Sequence, residues 1–428
     1  MIWVTLFLLL GLLILSLPVA AVLGLVGLSL DQLYSFLPLR LALGEVVWGA
    51  STDVILVAIP MFVLLGEILL RAGIAERMYN AMSHWLSWLP GGLMHSNIGA
   101  CTLFSAVSGS SVATAATIGT VAVEQIDRQG YNPRFFLGTI AAGGTLGILI
   151  PPSINMIVYG VLTDTSIPQL YLAGMIPGLI LAGLFMLTIL IGCTLRPDWG
   201  GRRVETDWNA RISTLPDLLP PLFIFVLVIG SIYAGLATPT EAASLGVIVA
   251  LGLAAWRKRL DLTMLKHTIE GTMRTSAMIM AILIAAYFLN FVLTSIGLTG
   301  QVNAMVLELG LTPMQTLLAV VVFYVILGMF METLTMMVAT VPIITPVIVS
   351  LGFDPVWFGV LIMLLIETAM ITPPVGINLF VVQGVRGHGQ LHDVMIGAAP
   401  FVITLLVMIV LLIVVPDIAL WLPALFGR

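Results

Sequence analysis

Long apolar stretches recur along the whole chain and constrain its fold more than any other feature. They lie near residues 3–29, 53–70, 92–121, 136–160, 169–194, 216–235, 240–256, 275–298, 315–350, 356–383 and 394–424. Most approach or exceed the roughly 20 residues that a helix needs to cross a bilayer. Only 9% of the residues are charged, whereas soluble domains are about 25% charged. The sequence therefore predicts an all-α polytopic membrane protein whose solvent is lipid.

The first apolar run is interpreted as a retained membrane helix. No Lys or Arg precedes it, and residues 2–29 exceed the apolar core of a secretory signal peptide.

Several function classes find no support in the sequence. The chain has no basic tail, so nucleic acid is not an expected partner. Its two cysteines lie in apolar runs and give no disulfide framework, and no Walker sequence is present. The segment "SGSS" (108–111) has no His or Asp beside it at membrane depth. The chain is therefore predicted not to be an enzyme.

The positions of the few basic residues predict the orientation. Short loops on the cytoplasmic side of a bacterial membrane are enriched in Lys and Arg. One assignment of the loops places every Lys and Arg except Arg40 and Arg428 in the cytoplasm. Under this assignment, residues 92–121 enter and leave the membrane on the cytoplasmic face. Residues 315–350 do the same on the periplasmic face, so the sequence predicts two re-entrant helical hairpins.

A short motif occurs twice in these surroundings. "ILIPPSINMIVYG" (148–160) corresponds to "MITPPVGINLFVVQG" (370–384), with one inserted residue after the prolines. Each copy lies in an apolar run, 136–160 or 356–383, that follows a predicted re-entrant hairpin. The order of elements is the same in both halves and the orientation is opposite. We interpret this pattern as an inverted-topology repeat, in which substrate and ion bind at discontinuous helices near the bilayer midplane.

The Pro-Pro pairs predict a break in each of these two runs. Proline lacks an N–H and its ring displaces the carbonyl four residues earlier. Backbone carbonyls near residues 147–150 and 369–372 should therefore lose their partners and become available to a cation such as Na⁺. The side chains that could complete such a shell are Ser153, Asn155, Thr372 and Asn378. A simple proline kink, satisfied by neighbouring hydroxyl groups, remains the alternative.

Each broken helix needs a facing partner, and the two hairpins supply candidates. Ser108, Gly109, Ser110 and Ser111 concentrate hydroxyl groups around a glycine that permits a tight turn. Packing of small residues between membrane helices is the competing interpretation, and we expect it for the residues after this turn.

The second hairpin contains an ionisable group. Glu332, followed by Thr333 and Thr335, is a candidate to bind a cation or to titrate, because ionisable groups are costly within the membrane. Glu67 and Glu367 are interpreted instead as hydrogen-bonded structural anchors. Thr238, Pro239 and Glu241 have the pattern of a helix capping box.

Several stretches together resemble the large membrane subunit of the tripartite ATP-independent periplasmic (TRAP) transporters, part of the wider ion transporter superfamily. They are "IPMFVLLGEILLRAGI" (59–74), "SGSSVATAATIG" (108–119), "GGTLGILIPPS" (143–153), "ATPTEAA" (237–243), "GMFMETL" (328–334), "LGFDPVWFG" (351–359) and "TPPVGIN" (372–378). They cover nearly the whole chain in order. Two positions depart from the family pattern, since relatives often have Asp where Thr114 and Glu332 stand here.

The resemblance implies a multi-pass carrier of the bacterial inner membrane that imports an organic acid, such as sialic acid or a C4-dicarboxylate, by symport with sodium. It also implies an elevator-type transport domain moving against a scaffold, a periplasmic substrate-binding protein and a separate small four-helix membrane subunit. The implied binding residues are Ser108, Gly109, Ser110, Ser111, Pro151, Pro152, Ser153, Asn155, Glu332, Thr333, Thr335, Thr372, Pro373, Pro374, Gly376 and Asn378. The implied Na⁺ ligands are Ser108, Ser110, Gly147, Asn155, Thr335, Thr372 and Asn378.

The predicted units follow from these interpretations. They are an N-terminal scaffold helix with a periplasmic connection (1–52), a first repeat (53–194), a cytoplasmic loop with two scaffold helices and a cytoplasmic link (195–274), and a second repeat (275–428). A stand-alone ion-coupled carboxylate carrier that needs no binding protein is the alternative function, and an intramembrane enzyme is a more distant one.

Overall fold

The computed structural model describes residues 1–15, 17–202 and 207–426. Every regular element in those ranges is helical, so the predicted all-α class is confirmed. Arg428 and residues 203–206 of the arginine-rich stretch lie outside the described residues.

The N-terminal part of the chain forms five helices. They are α1 (Ile2–Ile14), α2 (Val19–Tyr34), α3 (Leu43–Thr52), α4 (Ala58–Arg71) and α5 (Ile74–Leu86), with 3₁₀ turns at Leu39–Ala42 and Val54–Val57. The prediction of a single helix over the first apolar run is wrong. Pro18 caps α2 and has no N–H to donate to the preceding turn, so the run divides into α1 and α2. The predicted unit 1–52 therefore contains three helices.

The next six helices surround the first Pro-Pro pair, which lies between two of them. They are α6 (Leu93–Ser108), α7 (Ser111–Ala122), α8 (Glu124–Gln129), α9 (Pro133–Thr145), α10 (Ile154–Thr163) and α11 (Ile167–Leu195). Gly109, with a φ of 61°, turns the chain between α6 and α7. The segment 146–153, here called the first break, separates α9 from α10, which confirms the predicted interruption at Pro151 and Pro152.

Five helices form the middle of the chain. They are α12 (Trp208–Thr214), α13 (Leu219–Tyr233), α14 (Pro239–Trp256), α15 (Leu262–Ser295) and α16 (Leu298–Glu308), with 3₁₀ turns at Pro197–Trp199 and Leu215–Asp217. The predicted capping box at the start of α14 is confirmed. The predicted cytoplasmic link is helical from residue 262 onward, because the Asp261 side chain caps α15 by accepting from the Met264 N–H at 2.6 Å.

The C-terminal part of the chain forms six helices, and the second Pro-Pro pair lies between two of them. They are α17 (Pro313–Gly328), α18 (Thr333–Ser350), α19 (Pro355–Ile371), α20 (Ile377–Arg386), α21 (Leu391–Val414) and α22 (Asp417–Phe426). Residues 329–332 connect α17 to α18. The segment 372–376, here called the second break, separates α19 from α20, again as the prolines predict.

Within the described residues, six helical segments are long and apolar enough to cross a membrane. They are Val54–Arg71, Ile167–Leu195, Pro239–Trp256, Leu262–Ser295, Thr333–Ser350 and Leu391–Val414. The bent pair Trp208–Asp217 and Leu219–Tyr233 adds a seventh if it counts as one span. By length and composition alone α18 qualifies, although the sequence analysis assigns it to a re-entrant hairpin.

The two helices that precede the breaks form the centre of the protein. All residues of α19 from Val356 to Ile371 are buried, as are those of α9 from Phe135 to Thr145. Peripheral helices expose large apolar side chains, such as Phe7 and Ile248, as expected where helices face lipid. This arrangement places both breaks at the ends of largely buried helices.

Candidate functional site

The turn between α6 and α7 packs directly against the first break. A Cβ atom added at Gly109 would lie 2.6 Å from the Pro152 carbonyl oxygen, and one added at Gly147 would lie 2.9 Å from the Ser111 nitrogen. Only glycine fits at such distances. The structure therefore brings together residues 108–111 and 147–155, two stretches that the sequence analysis proposed as partners.

A cluster of hydroxyl groups lies just inside this turn. The Ser108 and Thr114 hydroxyl oxygens are 3.1 Å apart, and the Thr114 hydroxyl donates to the Ser110 carbonyl at 2.8 Å. Ser105 donates to Thr114 at 3.5 Å. Thr114, one of the hydroxyl residues that the sequence places around Gly109, is thus the centre of the cluster. The clue to its role was the spacing: on the first turn of α7, residue 114 lies four residues after Ser110.

The first break leaves a row of backbone carbonyls without partners. Its N–H groups form tight turns, with Ile148 donating to Thr145 and Ile150 donating to Leu146, each at 2.9 Å. No hydrogen bond from a described residue ends on the carbonyls of residues 147–150. The whole segment 146–153 is buried, so its oxygens face the protein interior.

The second hairpin ends in a charged cap. The Glu332 carboxylate accepts from the Thr335 N–H at 3.0 Å, from the Thr335 hydroxyl at 3.1 Å and from the Thr333 hydroxyl at 2.9 Å. Glu332 is therefore the N-cap of α18, as Ser110 is the N-cap of α7. The predicted neighbours Thr333 and Thr335 hold the carboxylate in place.

The second break contacts its own hairpin through the backbone. The Val375 N–H donates to the Met329 carbonyl at 3.3 Å. Among the carbonyls that we expected to be free, that of Ala369 is not, because it accepts from the Thr372 N–H at 3.4 Å. The Thr372 hydroxyl is also engaged, donating to Thr368 at 2.6 Å. Residues 372–375 are half-buried or exposed, and Pro374 faces outward.

The two asparagines of the repeated motif have different surroundings. Asn378 is fully buried, and its amide donates to the Ala141 carbonyl of α9 at 3.1 Å, so it reaches into the first half of the chain. Its Oδ1 atom has no hydrogen-bond partner among the described residues. Asn155 is half-buried and lines a cavity.

This cavity has a volume of about 420 Å³ and brings the two halves together. It is lined by the first turns of three helices: Ser110 to Ala113 of α7, Ile154 and Asn155 of α10, and Glu332 to Leu334 of α18. The free N–H groups and the dipole of a helix N-terminus favour an anion. At α18 the Glu332 carboxylate already supplies one, whereas the caps of α7 and α10 are the neutral residues Ser110 and Ser153.

The oxygens around the cavity are mostly uncharged. No group of three His, Cys, Asp or Glu suited to a metal ion occurs in the part of the chain that the structure describes. Hydroxyl groups, freed carbonyls and two carboxylates, those of Glu332 and of Glu67, which pairs with Arg71, instead make up the donor set. Such a set fits Na⁺, which unwound backbone carbonyls bind in membrane carriers.

The structure separates the two glutamates that the sequence analysis interpreted as anchors. Glu67 is anchored as predicted, with its carboxylate 3.0 Å from the Arg71 guanidinium. The prediction is wrong for Glu367, which is fully buried without a hydrogen-bond partner for either carboxyl oxygen among the described residues. Its carboxyl group lies against the backbone amide of Leu149, which already donates to the Leu146 carbonyl.

Comparison with known proteins gives consistent matches over nearly the full length. A family model described as "Tripartite ATP-independent periplasmic transporter, DctM component" matches residues 6–418. The C4-dicarboxylate TRAP transporter large permease protein DctM of Pseudomonas aeruginosa is 35% identical over 87% of each chain. The sialic acid TRAP transporter large permease protein SiaM of Vibrio cholerae is 31% identical over 97% of each chain.

A solved structure resembles the fold. The crystal structure of the Alcanivorax borkumensis YdaH transporter superposes with a TM-score of 0.61. The two chains are 17% identical, and the match covers 90% of this chain and 88% of that one.

Proposed function

This chain belongs to the family of tripartite ATP-independent periplasmic transporter DctM components, and on that premise we propose that it performs sodium-coupled uptake of an organic carboxylate. Its relatives are named as transporter permeases, and the chain is a multi-pass protein of the inner membrane. A periplasmic binding protein delivers the substrate, and a small membrane subunit completes the tripartite assembly that the family description states.

The cavity between the three helix N-termini is the observation that carries this proposal. Two of its helices, α7 and α10, have neutral caps, so their N-termini can attract the carboxylate of a substrate. The negative charge of Glu332 repels a carboxylate from the N-terminus of α18, so the acidic group of the substrate lies at α7 and α10 instead. The relatives named for C4-dicarboxylate and sialic acid support an acidic substrate, and both remain candidates here.

We assign the coupling ion to the two breaks. The first Na⁺ site consists of the Ser108 and Ser110 oxygens with freed carbonyls from Gly147 onward. Burial of these oxygens favours a dehydrated cation. A carbonyl without a partner away from water costs roughly several kcal/mol, and a bound cation would offset this cost. Asn155 lines the cavity between this site and the substrate. The second site consists of residues 332–335 with Thr372 to Asn378, where Glu332 adds a negative charge.

The inverted repeat explains how one cavity serves both faces of the membrane. In our proposal, residues 53–194 and 275–428 are repeats of opposite orientation, whose re-entrant hairpins are α6–α7 and α17–α18. The parallel roles of Ser110 and Glu332 as helix caps at the two hairpin tips support this pairing. The hairpins and broken helices then move together in an elevator-type cycle against a scaffold that includes residues 1–52 and 195–274.

The proposal is tested by reconstituting this chain with its small subunit in proteoliposomes. The substrate is first identified by thermal-shift screening of the cognate binding protein against succinate, N-acetylneuraminate and pyruvate. Uptake of the ligand that binds should require both the binding protein and an inward sodium gradient. Uptake by this chain alone, without a binding protein, would instead establish the stand-alone carrier.

A further inference from the structure

A second, more polar cavity lies beside α5, on the side that the basic residues assign to the cytoplasm. Its volume is about 580 Å³, and its lining includes Glu76, Arg77, His84, Arg257 and Arg259. Arg257 follows α14 directly as its C-cap, and Arg77 lies in the second turn of α5. The cavity therefore brings together arginine side chains from two helices that are distant in sequence.

Arg77 and Arg257 share a single carboxylate oxygen. Asp217 Oδ1 lies 3.4 Å from Nη1 of Arg77 and 3.8 Å from Nη2 of Arg257. Both distances are longer than a charge-assisted hydrogen bond, which measures about 2.7–2.9 Å. The Asp217 carboxylate thus neutralises the pair only in part.

Arg257 is the less solvated of the two arginines. Its side chain is 13% exposed, against 61% for Arg77. Its Nη1 atom is buried and has no hydrogen-bond partner among the described residues. Burial and the neighbouring Arg77 charge lower the pKa of Arg257, and Asp217 offsets only part of this effect. A buried guanidinium nitrogen without an acceptor is costly, so the pair has room for a second anionic partner besides Asp217.

The second cavity lies beyond the central cavity along α4 and α7. The central cavity is lined by Glu67 and Leu70 of α4 and Thr117 of α7, whereas the second cavity is lined by Ala72, just after α4, and by Val121, one turn further along α7. The arginine pair therefore lies near the ends of these helices that the basic residues assign to the cytoplasm.

We propose that Arg77 and Arg257 form a binding site for an oxyanion, a carboxylate or a phosphate, at the inner mouth of the central cavity. A guanidinium fork matches the two oxygens of such a group. The anion is either a soluble acid in the cytoplasm or the phosphate of an anionic lipid. The adjacent Trp256 is 79% exposed, as is usual for a tryptophan at the membrane interface, so the headgroup region is within reach. The site does not depend on the proposed sodium coupling.

The test uses the full-length protein in phosphatidylcholine nanodiscs. Potassium phosphate and potassium succinate are compared with potassium chloride at equal ionic strength, and the apparent unfolding temperature is followed as a function of anion concentration. We expect Arg257→Gln to weaken oxyanion binding by about tenfold or more, the loss expected for a charged hydrogen bond. Arg128→Gln is the matched control, since the Arg128 guanidinium is 68% exposed and pairs with the exposed Glu124.

A second arm identifies the source of the anion. If phosphatidylglycerol in the nanodisc, but neither soluble anion, raises the unfolding temperature in an Arg257-dependent manner, the ligand is a lipid headgroup. The proposal is overturned if no oxyanion stabilises the wild type more than chloride and phosphatidylcholine do. It is also overturned if Arg128→Gln loses as much binding as Arg257→Gln.

A measurement on the wild type tests the site even if Arg257→Gln does not fold. Phenylglyoxal modifies accessible guanidinium groups, and mass spectrometry reports the rate at each arginine. The oxyanion that stabilises the protein should slow modification at Arg257 and leave Arg128 unchanged. Equal rates at Arg257 with and without the oxyanion would contradict the site.

Discussion

The two Pro-Pro breaks carry nearly the same motif but lie in different environments. The first break is buried from residue 146 to residue 153, and its hairpin tip has the neutral cap Ser110. The second break is half-open, with Pro374 exposed, and its tip has the charged cap Glu332. A buried row of neutral oxygens suits a dehydrated cation, whereas a half-open site needs the added charge of a carboxylate to hold one. The comparison indicates that the two breaks share the same Pro-Pro interruption of a helix but differ in the chemistry around it.

The strongest test of this difference disturbs the close contact between Gly109 and Pro152 in the first half. Gly109→Ala should lower uptake by about a hundredfold, the effect of roughly 3 kcal/mol of strain. A Cβ atom there would meet the Pro152 carbonyl oxygen and would also have to adopt a φ of 61°. Gly130→Ala is the control, because Gly130 also has a positive φ but has nothing within 4 Å of the added atom. Equal losses in both variants would show that backbone strain alone, and not the contact with the first break, is responsible.

The second test removes the charge of the Glu332 cap and, separately, the hydroxyl group of the Ser110 cap. Glu332→Gln keeps an oxygen for the Thr335 N–H and removes the negative charge. It should raise the sodium concentration for half-maximal uptake by about tenfold, since a unit charge at 4 Å contributes about 1–4 kcal/mol near a protein surface. Ser110→Ala should shift this value less, although it removes a proposed ligand. An unchanged sodium dependence in both variants would remove the two tips from the ion sites.

The third test distinguishes the roles of the two asparagines of the repeated motif. Asn378→Ala should destabilise the protein by about 1–3 kcal/mol, because it removes the buried hydrogen bond that the Asn378 amide donates to the Ala141 carbonyl and leaves a cavity, and it should weaken sodium coupling as a consequence. Asn155→Ala should weaken substrate binding with little change in stability, since Asn155 is half-buried at the cavity. Thermal unfolding and uptake kinetics on the same preparations distinguish the outcomes. Similar unfolding temperatures for the two variants would argue against this division of roles.

The smallest expected effect concerns the cap of α10. Ser153 accepts from the Met156 N–H at 3.4 Å, whereas the corresponding N-cap in the second half is Gly376, which has no side chain. Ser153→Ala should cost about 1 kcal/mol, a typical value for a lost N-cap, and so lower the apparent substrate affinity by roughly fivefold. A variant with wild-type affinity would show that the N-terminus of α10 does not depend on its cap.

Local chemistry made the breaks and several caps predictable from the sequence. Proline has no N–H, so the interruptions at Pro151 and Pro373 followed from the residues themselves. The same is true of the capping box at Thr238. Pro18 has the same chemistry, but the continuous apolar run around it led to the prediction of one helix where two exist.

Contacts between the halves could not be predicted in this way. The acceptor of the Asn378 amide lies 237 residues earlier in the chain, and no local pattern identifies it. The unpaired state of Glu367 likewise depends on how α19 packs against the first break. The shared cavity depends on the meeting of three helix N-termini from both halves, so the sequence indicated its residues but not their common location.

Sodium-dependent uptake tests the central claim most directly. Proteoliposomes with both membrane subunits, the binding protein and its ligand are assayed with an inward gradient of sodium, or of potassium at the same concentration. We expect rapid accumulation with sodium and background uptake with potassium. Equal accumulation in the two gradients would contradict the assignment of the breaks as sodium sites.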